Sequence, residues 1–308
     1  MNPTMARPLR LGTRGSTLAR RQSALVAAAL EAAGVSVELV VVVTAGDARQ
    51  PDTAWGEGAF VGALETELRA GSIDLAVHSA KDVPIEPEQD LVIAAYPMRG
   101  DPRDALVARS AATLADLAAG SVVGTDSPRR TGFILAMRPD LRVVPLHGNV
   151  DSRLQRLETG EVDALVLAVA GLQRLGRADR ITEILAPDLV PPAPGQGALA
   201  IQVRRGDARL VELMATVDDA PTRTAVTAER ELLRATGGGC RSPIGALATV
   251  VADQLTILAG SVDPSGSGRT FLTGVGPTAG LLTLAMSLGR RLVEQAGAAA
   301  NTNAAVTA

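Results

Sequence analysis

The sequence predicts an α/β protein of two or three domains, with parallel sheets in its first two thirds and a small α+β domain after them. Short apolar runs alternate with segments of helical periodicity, which is the order of βαβ units. Two segments rich in proline or glycine, 96–104 and 189–201, divide this pattern. After residue 239 the chain changes to longer strands joined by turn residues. A chain of 308 residues is also too long for one ordinary small domain.

Four strands and two helices are predicted before the first of these segments. The strands are 9–14, 35–44, 74–80 and 91–96, and the helices are 18–34 and 60–71. Gly34 and Gly71 end the helices, since glycine favours the left-handed backbone common at helix ends. The second strand, VSVELVVVVT, is a β-branched run typical of a strand buried on both faces.

The alternation continues in the second part of the chain. Strands are predicted at 121–125 and 141–146, helices at 131–138 and 150–160, and a strand that turns helical at 162–176. An apolar strand follows the segment 189–201. The C-terminal part predicts strands in 246–276 joined by a turn at DPSGSG, a closing helix at 286–297 and a disordered tail at 298–308.

The segments 96–104 and 189–201 are interpreted as two crossings between domains. The chain would then leave a first domain, build a second and return, so that a cleft lies between them. The alternative is that both are ordinary loops, which proline and glycine also punctuate.

Composition narrows the function classes. A net charge of -3 and an aromatic content of 2% give neither a basic field nor a stacking platform, so we expect no nucleic-acid partner. The N-terminus has no apolar signal core, and no run of eighteen apolar residues occurs, so we expect a cytoplasmic protein with no membrane partner. A single cysteine excludes an internal disulfide and a cysteine-cluster metal site, and no metal is expected.

Arginines lie at three predicted strand–helix junctions and at one further strand end. They are Arg14, Arg129 with Arg130, Arg153 and Arg174. Each alone is most simply a solvated charge, but the repetition favours a ligand with several carboxylates or phosphates, which guanidinium groups bind bidentately. Neither a P-loop nor a GxGxxG fingerprint occurs, which argues against a nucleotide.

The junctions that hold these arginines also carry helix start signals. Ser16 and Ser127 are predicted N-caps, and Pro128 suits the first helical position. Gly148 and Asn149 are placed in a turn. Helix N-termini and the strand ends of open α/β sheets both favour anionic ligands.

The segment HSAKDVP, 78–84, contains the chain's single lysine, Lys81, whereas the other 29 of its 30 basic residues are arginine. The simplest interpretation is that Lys81 forms a surface ion pair with Asp82. The composition instead favours a compact ammonium in a tight place. An aspartate among cations suits chemistry that develops positive charge on a substrate. His78 is interpreted as a core histidine that supports the strand.

Cys240 lies in GGGCRSPIG, after a helix. A lone cysteine is usually a small buried hydrophobe. The preceding glycines and the neighbouring Arg241 favour an accessible thiolate instead, as in a nucleophile or an attachment point.

Together these motifs resemble the porphobilinogen deaminase, or hydroxymethylbilane synthase, family. The similarity extends in family order from residue 13 to about residue 245. The matching motifs are TRGSTLA, GEGAFVGALE, AVHSAKDVP, RGDPRDA, VGTDSPRR, HGNVDSRL, LAVAGLQRLG, PAPGQGA, TAERELL and GGGCRSPIG.

The resemblance implies a monomeric transferase that joins four porphobilinogen molecules head to tail into hydroxymethylbilane, in tetrapyrrole and heme biosynthesis, with release of ammonia. It implies a dipyrromethane cofactor, made from substrate and joined by a thioether to Cys240. Asp82 matches the catalytic aspartate, which would stabilise a cationic azafulvene-type intermediate. The implied cofactor-binding residues are Ser79, Lys81, Ser127, Arg129 and Arg130. The implied substrate-binding residues are Arg14, Ser16, Phe60, His147, Asn149, Arg153, Arg174 and Gln196.

The family fold has three domains, of which the first two are similar to periplasmic binding proteins. On this sequence the resemblance places the first domain at 8–97 with 198–216, the second at 102–192, and the third at 219–297 with the cysteine loop.

Two departures from the family pattern matter. His147 stands where the family usually has arginine, so that position would hold a weaker, pH-sensitive cation. The loop TAWGEGAF has Glu57 where the family often has lysines, and a glutamate would repel a polyanion. The loop could still act as a lid, with Phe60 packed on a substrate ring.

Two alternatives remain at this point. An organic-anion solute-binding protein would share the crossings and the arginines. That interpretation, however, predicts reversible binding and an export signal. A homologue that has lost turnover is the other, and His147 and Glu57 are the residues that favour it.

Overall fold

A computed structural model describes residues 7–43, 61–86, 88–239 and 241–306, with side chains through residue 297. The chain forms two compact units, Met1–Gly100 with Gly197–Arg223, and Asp101–Gln196 with Thr224–Ala308.

The strands and helices of the described residues are numbered in chain order. The strands are β1 (Leu9–Arg14), β2 (Val37–Val42), β3 (Leu75–Ser79), β4 (Leu91–Ala95), β5 (Asp104–Ala108), β6 (Val122–Gly124), β7 (Arg142–Val144), β8 (Ala164–Ala168), β9 (Glu183–Ile184), β10 (Leu199–Arg204), β11 (Ile244–Val251), β12 (Gln254–Ser261) and β13 (Thr270–Pro277). The α-helices are α1 (Thr17–Ala32), α2 (Gly62–Ala70), α3 (Pro128–Met137), α4 (Val150–Glu158), α5 (Val169–Arg174), α6 (Ala208–Met214), α7 (Ala220–Ala235) and α8 (Leu281–Val306).

The first unit has a five-stranded sheet in the order β2-β1-β3-β10-β4. Strands β1, β2 and β3 are parallel, and β10 runs antiparallel to β3 and β4. Leu30 of α1 belongs to the core on one side of the sheet, and Leu64 and Leu68 of α2 belong to a separate core cluster. Gly71 ends α2 with φ +71°, as the sequence predicts.

The second unit repeats this arrangement with the strand order β7-β6-β8-β5-β9. Strands β6, β7 and β8 are parallel, and β5 runs antiparallel to β8 and β9. In both sheets the antiparallel strand, β5 or β10, follows one of the two proline- or glycine-rich segments. Strand β5 is missing from the sequence prediction, which assigned its first residue to the crossing segment.

The same unit contains the antiparallel sheet β11-β12-β13, whose core includes Leu232 of α7 and Leu288 of α8. The rings of Phe133 in α3 and Phe271 in β13 lie 5.6 Å apart, so this sheet packs directly on α3. The predicted fold class is confirmed: two mixed, mainly parallel sheets precede a small C-terminal α+β part.

Two expectations are wrong. Strand β2 is an edge strand of the described sheet, and its Leu39 and Val41 are 44% and 42% exposed, although the valine run predicted burial on both faces. Helix α8 continues to Val306, where a disordered tail was expected from residue 298. Its alanine content explains the difference, because alanine has the highest helix propensity.

Candidate active site

In the first unit, the ends of β1 and β3 place several predicted site residues at one edge of the sheet. These strands are parallel neighbours, so Arg14 and Ser79 end them on the same side. The hydroxyl of Ser79 accepts a hydrogen bond from Gln22 Nε2 of α1, at 3.0 Å. Ser16 caps α1 by accepting from the backbone N–H of Ala19 at 3.3 Å, which confirms the predicted cap.

Lys81 and Asp82 lie in a single 3-10 turn, Ala80–Asp82, directly after β3. The N–H of Ala80 donates to the carbonyl of Ala198 at 3.0 Å, which joins the turn to the segment before β10. Both side chains are half-buried. The turn therefore holds an ammonium and a carboxylate side by side at the edge that also carries Arg14.

His78 is buried inside β3 and serves as part of a polar chain. Gln202 donates from Nε2 to Glu65 Oε1 at 2.9 Å, so its Oε1 faces His78 Nε2 at 3.0 Å. An amide oxygen only accepts, which assigns the proton of the neutral imidazole to Nε2. Burial lowers the pKa of His78 to about 4, the bond to Gln202 opposes this, and the charge of Arg14 adds to the lowering. His78 is therefore a neutral core residue near pH 7.

In the second unit, the turn between β6 and α3 builds a buried cluster of two guanidinium groups around one carboxylate. Ser127 caps α3 by accepting from the N–H of Arg130 at 3.4 Å, with Pro128 in the first turn, as predicted. Asp104 Oδ1 accepts from Arg130 Nε at 3.1 Å and Nη2 at 2.7 Å. Asp104 Oδ2 lies 2.8 Å from Arg129 Nη1.

The charges of this cluster do not cancel. Asp104, Arg129 and Arg130 are 0%, 3% and 6% exposed, so one carboxylate faces two buried cations. Burial alone would raise the pKa of Asp104, but the charges and hydrogen bonds of the two arginines outweigh it and hold the pKa well below its usual range. Burial lowers the pKa of Arg129, an effect that Asp104 opposes and Arg130 reinforces. The net positive charge of the cluster favours the binding of a further anion.

Sequence reasoning missed Asp104, although it lies in the motif RGDPRDA that supported the family resemblance. Nothing local distinguishes it from the other aspartates, because its partners come from 26 residues away in the chain. Its burial depends on β5, which the sequence did not predict.

Gln196 is fully buried within the same cluster. Its Nε2 donates to the carbonyl of Pro102 at 2.7 Å and to Asp104 Oδ1 at 2.9 Å, and its Oε1 accepts from Arg130 Nη2 at 3.3 Å. The position expected to bind substrate thus lies behind Arg130 and Asp104, where it satisfies their hydrogen bonds.

The next strand ends carry the remaining predicted cations. Asn149 caps α4 by accepting from Ser152 N–H at 2.8 Å, and Arg153 Nε donates to the Gly148 carbonyl at 2.9 Å. Burial, with the charge of the nearby Arg130, lowers the pKa of Arg153 to about 10. Arg174 is in the last turn of α5, not at the strand end itself, and burial lowers its pKa.

His147 faces an aspartate that the sequence did not single out. His147 Nδ1 lies 3.0 Å from Asp126 Oδ2, and Arg241 Nη2 lies 3.8 Å from Asp126 Oδ1. Arg241 directly follows Cys240. Cys240 and Phe60 lie outside the described residues, as does Glu57. Next to residue 240, Gly239 N–H donates to Ser242 Oγ at 2.9 Å.

Neither a metal cluster nor a membrane span occurs in the described part of the chain. It contains no group of three or more His, Cys, Asp or Glu side chains that could hold a metal ion. None of its helices is long and apolar enough to span a bilayer.

Comparison with known proteins gives concordant matches. A family model described as the porphobilinogen deaminase dipyromethane cofactor binding domain matches residues 9–212, and one for the porphobilinogen deaminase C-terminal domain matches residues 223–296. Porphobilinogen deaminase of Nocardia farcinica is 55% identical over 245 residues, which are 79% of this chain and 71% of that protein. The protein of the same name from Acidothermus cellulolyticus is 48% identical over 294 residues, or 92% of this chain and 87% of that one.

Among solved structures, the methionine-binding protein MetQ matches 72% of this chain and 94% of its own, at 14% identity and a TM-score of 0.46.

Proposed function

The chain belongs to the porphobilinogen deaminase family, and from that premise we propose that the strand-end residues of the first unit and the arginine cluster of the second are its catalytic and ligand-binding groups. The activity is that of a transferase in tetrapyrrole biosynthesis, which condenses four porphobilinogen molecules into hydroxymethylbilane and releases ammonia. The family match does not favour the alternative of an organic-anion solute-binding protein.

The observation that carries the assignment is the uncompensated charge of the buried arginines. Arg129 and Arg130 share a single carboxylate, and Arg153 adds a third cation close enough for Arg130 to lower its pKa. Each substrate pyrrole carries an acetate and a propionate, so porphobilinogen and its oligomers are polyanions. A polyanion balances the charge of three guanidinium groups that Asp104 and the partly exposed Asp126 neutralise only in part.

The family's cofactor is dipyrromethane, and the residues of the second unit fit it. The Nε of Arg129 is buried and has no hydrogen-bond acceptor among the described residues, which leaves a donor for a ligand carboxylate. When bound, dipyrromethane supplies the pyrrole carbon to which the first substrate unit is joined. We assign its carboxylates to Arg129, Arg130, Ser127, Lys81 and Ser79, and its thioether to Cys240.

We assign the chemistry to Asp82. Its carboxylate can accept hydrogen bonds from pyrrole N–H groups and stabilise the positive charge that loss of ammonia leaves on the substrate. The 3-10 turn supports this role, because it fixes Asp82 beside Lys81 at the strand end. The neutral His78 behind it adds no competing charge to that edge.

The remaining assignments concern substrate. We propose that the incoming substrate and the growing chain are bound by Arg14, Ser16, His147, Asn149, Arg153, Arg174 and Phe60. Gln196 is reassigned, because its burial suits a residue that positions Arg130 and Asp104.

Some features are proposed on family grounds alone. The three domains are proposed at 8–97 with 198–216, at 102–192 and at 219–297. The enzyme is proposed to act as a monomer in the cytoplasm.

Intact mass spectrometry of protein purified from cells tests the assignment. The wild-type mass should exceed the sequence mass by two linked pyrrole units, and Cys240→Ala should lack the addition. Asp82→Asn should keep the addition, while its kcat falls by about a hundredfold or more, as expected for loss of an acid–base group. An unmodified wild-type chain would refute the function, and near-normal turnover of Asp82→Asn would refute the role of Asp82.

A further inference from the structure

Asp126 is a carboxylate among the cations of the second unit. It lies between Thr125, the first residue after β6, and Ser127, the cap of α3. Its side chain is 21% exposed, in contrast to the fully buried Asp104. Asp104 stabilises the arginine pair from within, whereas Asp126 lies partly open to solvent.

The carboxylate of Asp126 lies near His147, which we assign to substrate binding, and near Arg241. Oδ2 lies 3.0 Å from His147 Nδ1, and Oδ1 lies 3.8 Å from Arg241 Nη2 beside the proposed cofactor cysteine. Arg153 is also within its field: burial and the charge of Arg130 lower the pKa of Arg153, and Asp126 partly opposes them.

These contacts are those that a ligand carboxylate would make. An acetate or propionate bound to Arg153 and His147 would lie near the Asp126 carboxylate, and like charges this close repel each other. Asp126 therefore places a negative charge beside Arg241 and His147 when no ligand is bound, and it repels a ligand carboxylate when one arrives.

We propose that Asp126 is an internal competitor for the carboxylate groups of porphobilinogen and of the growing chain. Its negative charge lies beside His147 and Arg241 and acts on Arg153, and it weakens the binding of ligand carboxylates to these groups. A polyanion that must move through one site as it lengthens is then held less tightly. This inference rests on the proposed function, because it names the ligand of the same site.

The proposal predicts a gain of affinity. Asp126→Asn keeps the side-chain size and removes the charge, so KM for porphobilinogen should fall about two- to fivefold, the usual effect of one partly exposed charge. Because this interaction is made with bound ligand and transition state alike, kcat should stay within about twofold. Asp188→Asn, which changes an exposed aspartate of the same unit, is the matched control and should leave both constants unchanged.

A binding measurement separates the effect from turnover. Porphobilinogen can be titrated by isothermal titration calorimetry into the Cys240→Ala variant and into the double variant Cys240→Ala/Asp126→Asn. The dissociation constant should be about two- to fivefold lower for the double variant. The difference should shrink between about 0.05 and 0.5 M NaCl, since added salt screens a repulsion between partly exposed charges. A purely structural role for Asp126 predicts no such salt dependence. Far-UV circular dichroism checks that each variant is folded, and Asp126→Ser provides a second neutral side chain.

The outcomes are distinct. A KM or dissociation constant that rises or stays unchanged in both Asp126 variants overturns the inference. A gain in affinity for porphobilinogen that added salt does not reduce also overturns it. Absence of the covalent addition from wild-type protein overturns the proposed function instead.

Discussion

Lowering the pH should destabilise the protein through His78. The ordinary pKa of histidine is 6.5, and burial lowers that of His78 to about 4 in the folded chain. Between these values the unfolded chain binds a proton at this residue and the folded chain does not. The free energy of unfolding must therefore fall as the pH drops through this window, and it is unaffected by His78 above it.

The size of the effect follows from the two pKa values. One pKa unit corresponds to about 1.4 kcal/mol, so the full difference is worth about 3 kcal/mol. About 2 kcal/mol of it should already be lost at pH 5, where the unfolded histidine is almost entirely protonated. Such a loss is a large fraction of the roughly 5–15 kcal/mol that typically stabilises a folded domain.

The assay compares the wild type with His78→Gln. Glutamine can still donate to Gln202 Oε1 but does not titrate, and every other ionisable group is common to both proteins. Urea unfolding followed by far-UV circular dichroism at pH 7, 6 and 5 gives the free-energy difference between them. The chain has two histidines, so NMR titration of the imidazole signals reports the pKa of His78 directly.

Two results would contradict this reasoning. One is a stability difference between wild type and His78→Gln that stays constant from pH 7 to pH 5. The other is an NMR midpoint for His78 near 6.5, which would mean that its ring is hydrated and free to take a proton.

Further substitutions test the buried groups. Asp104→Asn should destabilise the protein by about 3 kcal/mol or more and reduce cofactor loading, because two buried guanidinium groups lose their counterion. A chemical denaturation midpoint and an intact mass that both match the wild type would contradict this. Gly132→Ala would place a methyl group 2.6 Å from the backbone oxygen of Asp263, so the free energy of unfolding should fall by about 1–3 kcal/mol and the thermal midpoint with it. Gly297→Ala, whose added methyl group would have nothing within 4 Å, is the control and should not lower the midpoint. Glu229→Gln should cost about 1–3 kcal/mol in urea unfolding, since its carboxylate accepts buried backbone N–H groups at 2.7 and 2.8 Å, and an unchanged midpoint would show that they find other acceptors.

Local sequence signals predicted much of the fold. Hydrophobic periodicity located most strands and helices, because it reflects which face of an element is buried. Capping chemistry located the helix starts at Ser16 and Ser127, since the cap hydrogen bond spans only three residues. Strand ends followed by arginine indicated the sheet edges where the candidate site residues lie, because parallel neighbouring strands end on the same side of a sheet.

Strand β2 shows where such signals end. A valine run is compatible with the centre or the edge of a sheet, and only the pairing order decides which. The antiparallel direction of β5 and β10 likewise depends on the path of the segments that lead into these strands rather than on the residues of the strands.

Short motifs were enough to predict the family, the candidate cysteine and the order of the arginine-bearing junctions, because each motif consists of residues close together in the chain. The pairing of each carboxylate with its cations followed from the folded chain alone. Folding buries Asp104 between Arg129 and Arg130 and leaves Asp126 partly exposed beside His147. Burial sets both the charge balance and the energetic cost of each carboxylate, and burial depends on contacts between distant parts of the chain.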